Sequence, residues 1–308
     1  MRYKTDPSTP WLRPRNSWSW PARRAHRNSR HDDFYERCIS GHLLQRGAVT
    51  KSFEAYLALS SLFLSLKKLP DLRQRLFGFQ KHFSTLLLRP RRSVHLAVER
   101  YLSPAHQKCT RPPLLVNFGT SGSGKTVSLL HAAERFVHLR RRAVAVYTSF
   151  NDKCPVKAVD SSLPLGEYNT AIEHEFALRV LAAFVCTPDL DFDTLCSMAH
   201  NRRIIPGFKL YHVVNAVRAV ASVGVGVESE EALVEKLRDS GGEGLELFLA
   251  ADELRLLGGT TPPFGEPSLA AVRALRVLGR VADAEPIWGL GPVHVCASVY
   301  GAVDATKG

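Results

Sequence analysis

The sequence lacks the features that mark secreted and zinc-binding proteins. Six cysteines occur among its 308 residues, yet no two of them form a C-x-x-C pair. We therefore expect reduced, mostly buried thiols in an intracellular protein, nuclear or cytoplasmic, without a structural zinc site. The pair His174-Glu175 begins an H-E-x-x-H pattern, but Leu178 occupies the position of the second zinc ligand, which excludes that kind of site.

Long apolar runs are also missing, and none reaches the length that a membrane-spanning helix needs. The longest one, around Tyr56–Leu66, is interrupted by three serines and predicts a buried helix instead. The first 30 residues have no apolar core of the kind that a secretory signal requires. The guanine-reading motif N-K-x-D is absent, which favours adenine or weak base selectivity at any nucleotide site.

Acidic residues are scarce in the first half of the chain. Residues 1–142 contain 27 Lys and Arg against eight Asp and Glu, a net charge of +19, whereas the remainder carries −7 and the whole chain +12. A basic half suggests a polyanionic partner. Nucleic acid bound through residues 1–111 is the first candidate and an anionic membrane surface the second. A solvated basic surface without a partner remains an equal alternative.

The basic half divides into two predicted regions. Residues 1–34 predict a flexible arm, rich in Arg, Ser and Pro, in which Trp11, Trp18 and Trp20 could stack on bases. A disordered tail without a partner is the alternative. Residues 35–107 predict a helical region, and its helices are expected at residues 53–66, 72–88 and 93–102.

What the sequence does contain is a phosphate-loop motif. The apolar run Leu114–Phe118 precedes GTSGSGKT, which matches G-x-x-x-x-G-K-[ST] and is followed by an amphipathic helical pattern over Val127–Leu139. The motif comprises Gly119, Thr120, Ser121, Gly122, Ser123, Gly124, Lys125 and Thr126. Its glycines bring backbone N–H groups close to phosphate oxygens, while Lys125 can neutralise their charge and Thr126 can bind Mg²⁺. A glycine-rich turn without a ligand is the alternative.

The segment after this motif alternates strand and helix patterns. Strands are predicted at residues 143–150, 245–254 and 293–300, and helices at 168–185, 208–223, 229–238 and 268–282. Residues 188–206 predict irregular structure. The helix at 268–282 carries Arg273, Arg276 and Arg280 on one flank. These arginines could reach a phosphate or a neighbouring subunit, or they could form a solvated face.

The segment LELFLAADEL, Leu245–Leu254, has the form of a Walker B strand. Asp252 would then bind Mg²⁺ through water or directly, and Glu253 would act as the general base toward water. A helix that ends in an acidic pair is the alternative, because short apolar runs do not separate the two structures. Ser298 lies near the end of the last predicted strand, where it would contact the γ-phosphate or the water, or else simply bond to the backbone.

The order of these motifs resembles the P-loop ATPases of the additional-strand, catalytic-glutamate class, which includes the AAA and STAND branches. Lys125 and Thr126 match the family's Walker A motif, Asp252 and Glu253 its Walker B motif, and Ser298 its sensor 1 position. The resemblance extends from about Pro113 to the C-terminus and implies the strand order 5-1-4-3-2. The segments AVAVYTSFND, EYNTAIEHEFALRVLAAF and AADELRLL are also similar to ATPase domains of Crinkler and retrotransposon hot spot proteins.

We therefore expect an α/β fold, a P-loop NTPase three-layer sandwich with a mainly parallel sheet, preceded by a basic helical region. Residues 108–308 are the expected ATPase domain, which we expect to be incomplete at its C-terminus because no fifth strand or helical lid is visible there. ATP and Mg²⁺ are the expected cofactors, and a homo-oligomer is a candidate assembly. The alternatives to Mg²⁺-dependent ATP hydrolysis are a nucleotide-dependent switch that does not hydrolyse, and a small-molecule kinase.

Overall fold

A computed structural model describes most of the chain. The described residues are 30–67, 69–70, 74–78, 92–103, 114–119, 123–150, 163–186, 190–242, 244–254 and 269–300. The chain divides into two compact units, Met1–Gln45 and Arg46–Gly308. In the first unit, the described residues 30–45 are helical. The extents of the predicted arm, helical region and ATPase domain stay predictions.

The described elements are nine helices and five strands. The helices are α1 (Arg30–Leu66), α2 (Arg92–Tyr101), α3 (Lys125–Leu139), α4 (Leu165–Val185), α5 (Phe192–Asn201), α6 (Ile204–Gly207), α7 (Leu210–Val223), α8 (Glu230–Asp239) and α9 (Leu269–Asp283). The strands are β1 (Leu76–Phe77), β2 (Leu115–Gly119), β3 (Ala143–Ser149), β4 (Glu246–Asp252) and β5 (Val293–Tyr300). Among the described residues, no helix is both long and apolar enough to cross a membrane.

The five strands form one parallel sheet in the order β1-β3-β4-β5-β2. The α/β class with a parallel sheet is therefore confirmed. Four of the strands match part of the order 5-1-4-3-2 that the resemblance implies. Strand β2 corresponds to its strand 1, β5 to its strand 4, β4 to its strand 3 and β3 to its strand 2. All the strands run in one direction, so their carboxyl ends lie along one edge, the usual place for a ligand in an open α/β sheet.

Helices pack on both faces of the sheet because its central strands are apolar on both sides. One cluster joins α2 and α3 to alternate residues of β3, β4 and β5, with the rings of Phe136 and Phe248 4.9 Å apart. The larger cluster joins residues 46–66 of α1, together with α4, α7, α8 and α9, to the opposite face. Strands buried on both faces read as nearly continuous apolar runs, which is the pattern of AVAVY and LFLAA.

Two sequence predictions are wrong. Within the helix predicted at 72–88, the described residues 74–78 contain the short strand β1, while the remainder lies outside the described residues. Arg75 accounts for the difference, because its guanidinium donates to the carbonyls of Val137, Arg140 and Ala143. These tertiary bonds satisfy the end of α3 and outweigh the local helical periodicity.

The segment predicted as irregular, residues 188–206, contains α5 and α6. Helix α5 begins after Asp191, whose carboxylate accepts a 2.7 Å hydrogen bond from the Thr194 N–H. An aspartate in this position is a standard helix start, since it satisfies a backbone donor that has no partner within the helix. The prolines around the segment had concealed this signal.

Candidate functional site

The phosphate-loop motif lies between a strand and a helix, as its sequence predicts. Strand β2 ends at Gly119 and α3 begins at Lys125, while Thr120, Ser121 and Gly122 lie outside the described residues. Gly124 precedes the helix with a left-handed backbone (φ 78°, ψ 30°), which glycine adopts without strain. The first N–H groups of α3, which have no partner within the helix, therefore face the carboxyl edge of the sheet.

Gly119 and Ser123 approach each other closely across the motif. A Cβ atom built on Gly119 would lie 2.4 Å from the Ser123 Oγ and 3.5 Å from the Lys125 Cγ. A side chain at Gly119 would require the Ser123 hydroxyl to rotate away and the Ser123 Cβ, 3.2 Å from the added atom, to shift slightly. The close approach therefore favours glycine at the start of the motif.

Asp252 is the centre of the site, and its side chain is 1% exposed. The Thr126 hydroxyl donates to its Oδ2 over 2.6 Å, and the Tyr147 hydroxyl donates to the same oxygen over 2.9 Å. The Ser298 hydroxyl and the Glu253 N–H, the latter at 3.0 Å, both donate to Oδ1. Asp252 therefore joins the helix that follows the loop to the ends of three neighbouring strands.

Strand alternation explains why these side chains meet. Asp252 pairs in register with Ser149, and Ser298 pairs with Asn117. Tyr147, Asp252 and Ser298 all lie on the α3 side of the sheet, because residues at even spacing along a strand share a face. The strand interpretation of residues 246–252 is thus correct, and the helical alternative is excluded.

Glu253 directly follows β4 with a left-handed backbone of φ 58°. A residue with a side chain rarely adopts this conformation, which costs about 1 kcal/mol or more. Its N–H holds the turn by donating to Asp252 Oδ1 and, over 3.2 Å, to the Ser298 Oγ. The Glu253 side chain is half-buried, so it remains partly accessible beside the buried Asp252.

Lys125 and Ser298 are both buried where the sequence predicted functional residues. Lys125, the first residue of α3, is 8% exposed, and its carbonyl accepts a 3.3 Å hydrogen bond from the Asn117 side chain. Ser298 is 0% exposed, donates to Asp252 and accepts from the Glu253 N–H. Ser298 therefore bonds to a backbone group, the Glu253 N–H, as the alternative interpretation predicts. It also bonds to the Asp252 carboxylate.

The carboxylate changes the acidity of the groups around it. Burial, and secondarily the charge of Asp252, raises the pKa of Tyr147 far above its ordinary value. The same two causes raise the pKa of the Cys296 thiol to about 12. Both groups therefore stay protonated at neutral pH. Tyr147 is a hydrogen-bond donor to Asp252, and Cys296 is an unreactive thiol rather than a nucleophile.

Thr126 and Asp252 are the residues that could hold a divalent cation. They offer a hydroxyl and a carboxylate oxygen, and Mg²⁺ commonly takes one or two such ligands and completes its shell with water and phosphate. Their oxygens already lie within 2.6 Å of each other, so the donor set fits the ion. No group of three or more His, Cys, Asp and Glu side chains able to hold a metal occurs within the described ranges.

The arginines of α9 contact another helix. The Arg273 guanidinium lies 4.5 Å from the centre of the Tyr168 ring, and Arg280 forms a 3.5 Å ion pair with Glu173. Both partners belong to α4. Arg276 is exposed. The prediction of a solvated face therefore holds for Arg276 and for Arg280, whose side chain is 63% exposed, whereas Arg273 packs against the Tyr168 ring.

Sequence reasoning missed two residues of the site, Tyr147 and Asn117. Each lies in a predicted strand, at a position whose neighbours become known only with the strand order and register. The alternation of AVAVYTS places Tyr147 on one face but does not reveal what that face meets.

The chain matches no protein-family model, no curated protein and no solved structure.

Proposed function

We propose that this chain binds ATP with Mg²⁺ at the carboxyl edge of its sheet and hydrolyses the terminal phosphate. The observation that carries the proposal is the 2.6 Å hydrogen bond between Thr126 and Asp252. It joins the last residue of a phosphate-loop motif to the carboxylate of a candidate Walker B strand. The two motifs are far apart in the sequence, and their meeting at the carboxyl edge of the sheet supports a shared Mg²⁺ site.

The roles of the residues follow from their positions. The N–H groups of residues 122–125 would bind phosphate oxygens, assisted by the positive end of the dipole of α3. Lys125 would neutralise negative charge on the terminal phosphates. Thr126 and Asp252 would hold Mg²⁺, which would neutralise further phosphate charge. Glu253 would orient a water molecule and accept its proton. Ser298 would hold the Asp252 carboxylate in place.

A single experiment separates hydrolysis from binding alone. The full chain and its Glu253→Gln variant are compared for ATP binding and for phosphate release with Mg²⁺, and the exposed Glu235→Gln serves as control. We expect the Glu253 variant to bind ATP as the parent does and to lose turnover by about 10²–10⁴-fold, the usual contribution of a general base. Unchanged phosphate release in the Glu253 variant would remove Glu253 from the mechanism.

A switch that binds ATP without rapid hydrolysis is the second candidate. The contact of Arg273 with α4 favours it, because this guanidinium lies against the Tyr168 ring. An arginine that contacts the transferred phosphate contributes about 10³–10⁵ in rate in related enzymes. A parent chain that binds ATP and releases no phosphate would support this candidate. The basic half of the chain makes nucleic acid the proposed partner of either activity.

A further inference from the structure

Tyr147 is a buried phenol that contacts Asp252, and its side chain is 7% exposed. Tyr147 pairs in register with Ala250 of the neighbouring strand β4. Asp252 follows Ala250 by two residues and lies on the same face of the sheet. The small alanine side chain leaves room for the ring. The hydroxyl reaches the Asp252 Oδ2 at 2.9 Å, and Thr126 donates to that same oxygen.

The two oxygens of Asp252 have different partners. Oδ1 accepts from the hydroxyl of Ser298, near the end of β5, and from the N–H of Glu253, which follows β4. Oδ2 accepts from Thr126 and Tyr147. A carboxylate has about four acceptor positions, so these donors occupy it fully and fix the plane of the group.

Only one of these donors would have to change when a cation binds. Thr126 would turn a hydroxyl lone pair to the ion and would vacate the position on Oδ2 that the ion takes. Tyr147 donates to Oδ2 from the neighbouring strand β3. It would remain the side-chain donor that orients Oδ2.

We propose that Tyr147 is a positioning residue that holds the Asp252 carboxylate for Mg²⁺ and thereby sets the affinity of the site for the ion. This inference rests on the proposed function. The physical reason is that Mg²⁺ demands nearly ideal octahedral geometry, so a carboxylate that is free to rotate binds it less well. Residues that hydrogen-bond to metal ligands typically contribute 10–100-fold to metal affinity or activity.

The test removes a single hydroxyl. Binding of a fluorescent ADP analogue to the full chain is measured in EDTA and then over a Mg²⁺ titration, for the parent and for Tyr147→Phe. The matched control is Tyr101→Phe, which removes a hydroxyl of similar burial that lies 3.3 Å from the His294 Nδ1 instead. If Tyr147→Phe does not fold, Tyr147→Met also lacks the hydroxyl and fills the space with a flexible apolar chain.

We expect Tyr147→Phe to need about tenfold more Mg²⁺ for half of the metal effect. Its affinity for the analogue in EDTA should equal that of the parent, and Tyr101→Phe should match the parent in both measurements. An unchanged Mg²⁺ midpoint would overturn the inference. An equal loss with and without Mg²⁺ would also overturn it, because that result indicates a structural role. A folded parent that binds no analogue would instead remove the proposed function itself.

Discussion

Glu253 has a conformation that its residue type disfavours, at a position where the sequence places the general base. The left-handed backbone follows directly from β4, and two hydrogen bonds from its N–H maintain it. Strain of this kind persists only where the surroundings impose it, and it is concentrated at functional sites. The turn directs the Glu253 side chain away from the regular strand, next to Asp252.

Replacing Glu253 with glycine should separate stability from activity. The left-handed strain of about 1 kcal/mol disappears, offset in part by the greater freedom of glycine in the unfolded chain. We expect Glu253→Gly to change the free energy of unfolding by about 0 to +1 kcal/mol in urea titrations, while phosphate release is lost. Glu253→Gln retains the strain and is the control. A loss of stability well above 1 kcal/mol would show that the side chain holds the turn together.

At this scale, the sequence identified the residues whose types are tied to a motif. Lys125, Thr126, Asp252, Glu253 and Ser298 were all predicted from spacing and context, and Thr126, Asp252, Glu253 and Ser298 are brought together by hydrogen bonds. Tyr147 was not predicted, because its contact depends on which strand lies beside β3 and in what register. Local sequence does not encode that information.

Among the elements, α7 anchors the amino ends of β4 and β5 through a buried arginine. Arg218 is 1% exposed and donates to the carbonyls of Leu245 at 2.9 Å and Gly291 at 2.8 Å. It also donates to the Asn215 side chain at 2.6 Å. Burial lowers its pKa to about 10, so the guanidinium is still charged at neutral pH.

Arg218→Met should therefore be strongly destabilising. The variant leaves the Gly291 carbonyl and the Asn215 amide oxygen without the guanidinium donor, while the Leu245 carbonyl keeps only the Gly291 N–H. Such losses cost about 3–5 kcal/mol in total. The exposed Arg238→Met, on the neighbouring helix α8, should change stability by less than about 0.5 kcal/mol. The measurement is denaturant unfolding followed by circular dichroism. A cost below about 1 kcal/mol for Arg218→Met would contradict the role of this side chain.

His212 makes the start of α7 sensitive to acid. Its Nδ1 accepts a 3.2 Å hydrogen bond from the Lys209 N–H. Burial, followed by the charges of Lys209 and Lys51, lowers its pKa from 6.5 to about 4. The unfolded chain takes up this proton near pH 6.5 and the folded chain only near pH 4. Stability is therefore present above pH 6.5 and is lost as the pH falls toward 4.

The expected contribution of His212 is on the order of 2 kcal/mol over that interval. His212→Gln can accept the same backbone hydrogen bond but carries no proton that titrates there. We expect the difference in melting temperature between pH 7 and pH 4.5 to be smaller for this variant than for the parent. Equal differences in the two proteins would show that other groups cause the acid sensitivity.

The elements themselves were largely predictable, and the two failures have physical causes. The phosphate-loop strand and helix, and strands β3, β4 and β5, follow from strong apolar periodicity. Strand β1 was missed because the bonds of Arg75 to α3 and β3 are tertiary contacts. Helix α5 has a local start signal in Asp191, but the prolines at positions 188 and 206 favour loop structure and obscure that signal.

For the whole molecule, the charge asymmetry between its halves gives the clearest prediction about a partner. The net charge of +19 in residues 1–142 predicts that the full chain binds DNA or RNA through many phosphate contacts. We expect affinity for a DNA oligonucleotide to fall at least about tenfold between 50 and 200 mM salt. Replacing Arg23, Arg24 and Arg27 with glutamine should reduce the salt dependence, whereas Arg238→Gln should not. Binding that is absent or independent of salt would contradict the prediction of a polyanionic partner.

We infer that the motif around Lys125 and the carboxylate of Asp252 form one nucleotide site. The test is equilibrium binding of ATP, measured with and without Mg²⁺ for three full-length proteins: the parent, Lys125→Ala and the exposed control Lys236→Ala. We predict binding that Mg²⁺ strengthens and that Lys125→Ala weakens by about 10–100-fold, the effect of one charged hydrogen bond. Lys236→Ala should bind as the parent does. A folded parent that does not bind ATP, or a Lys125→Ala variant that binds it equally well, would contradict the account.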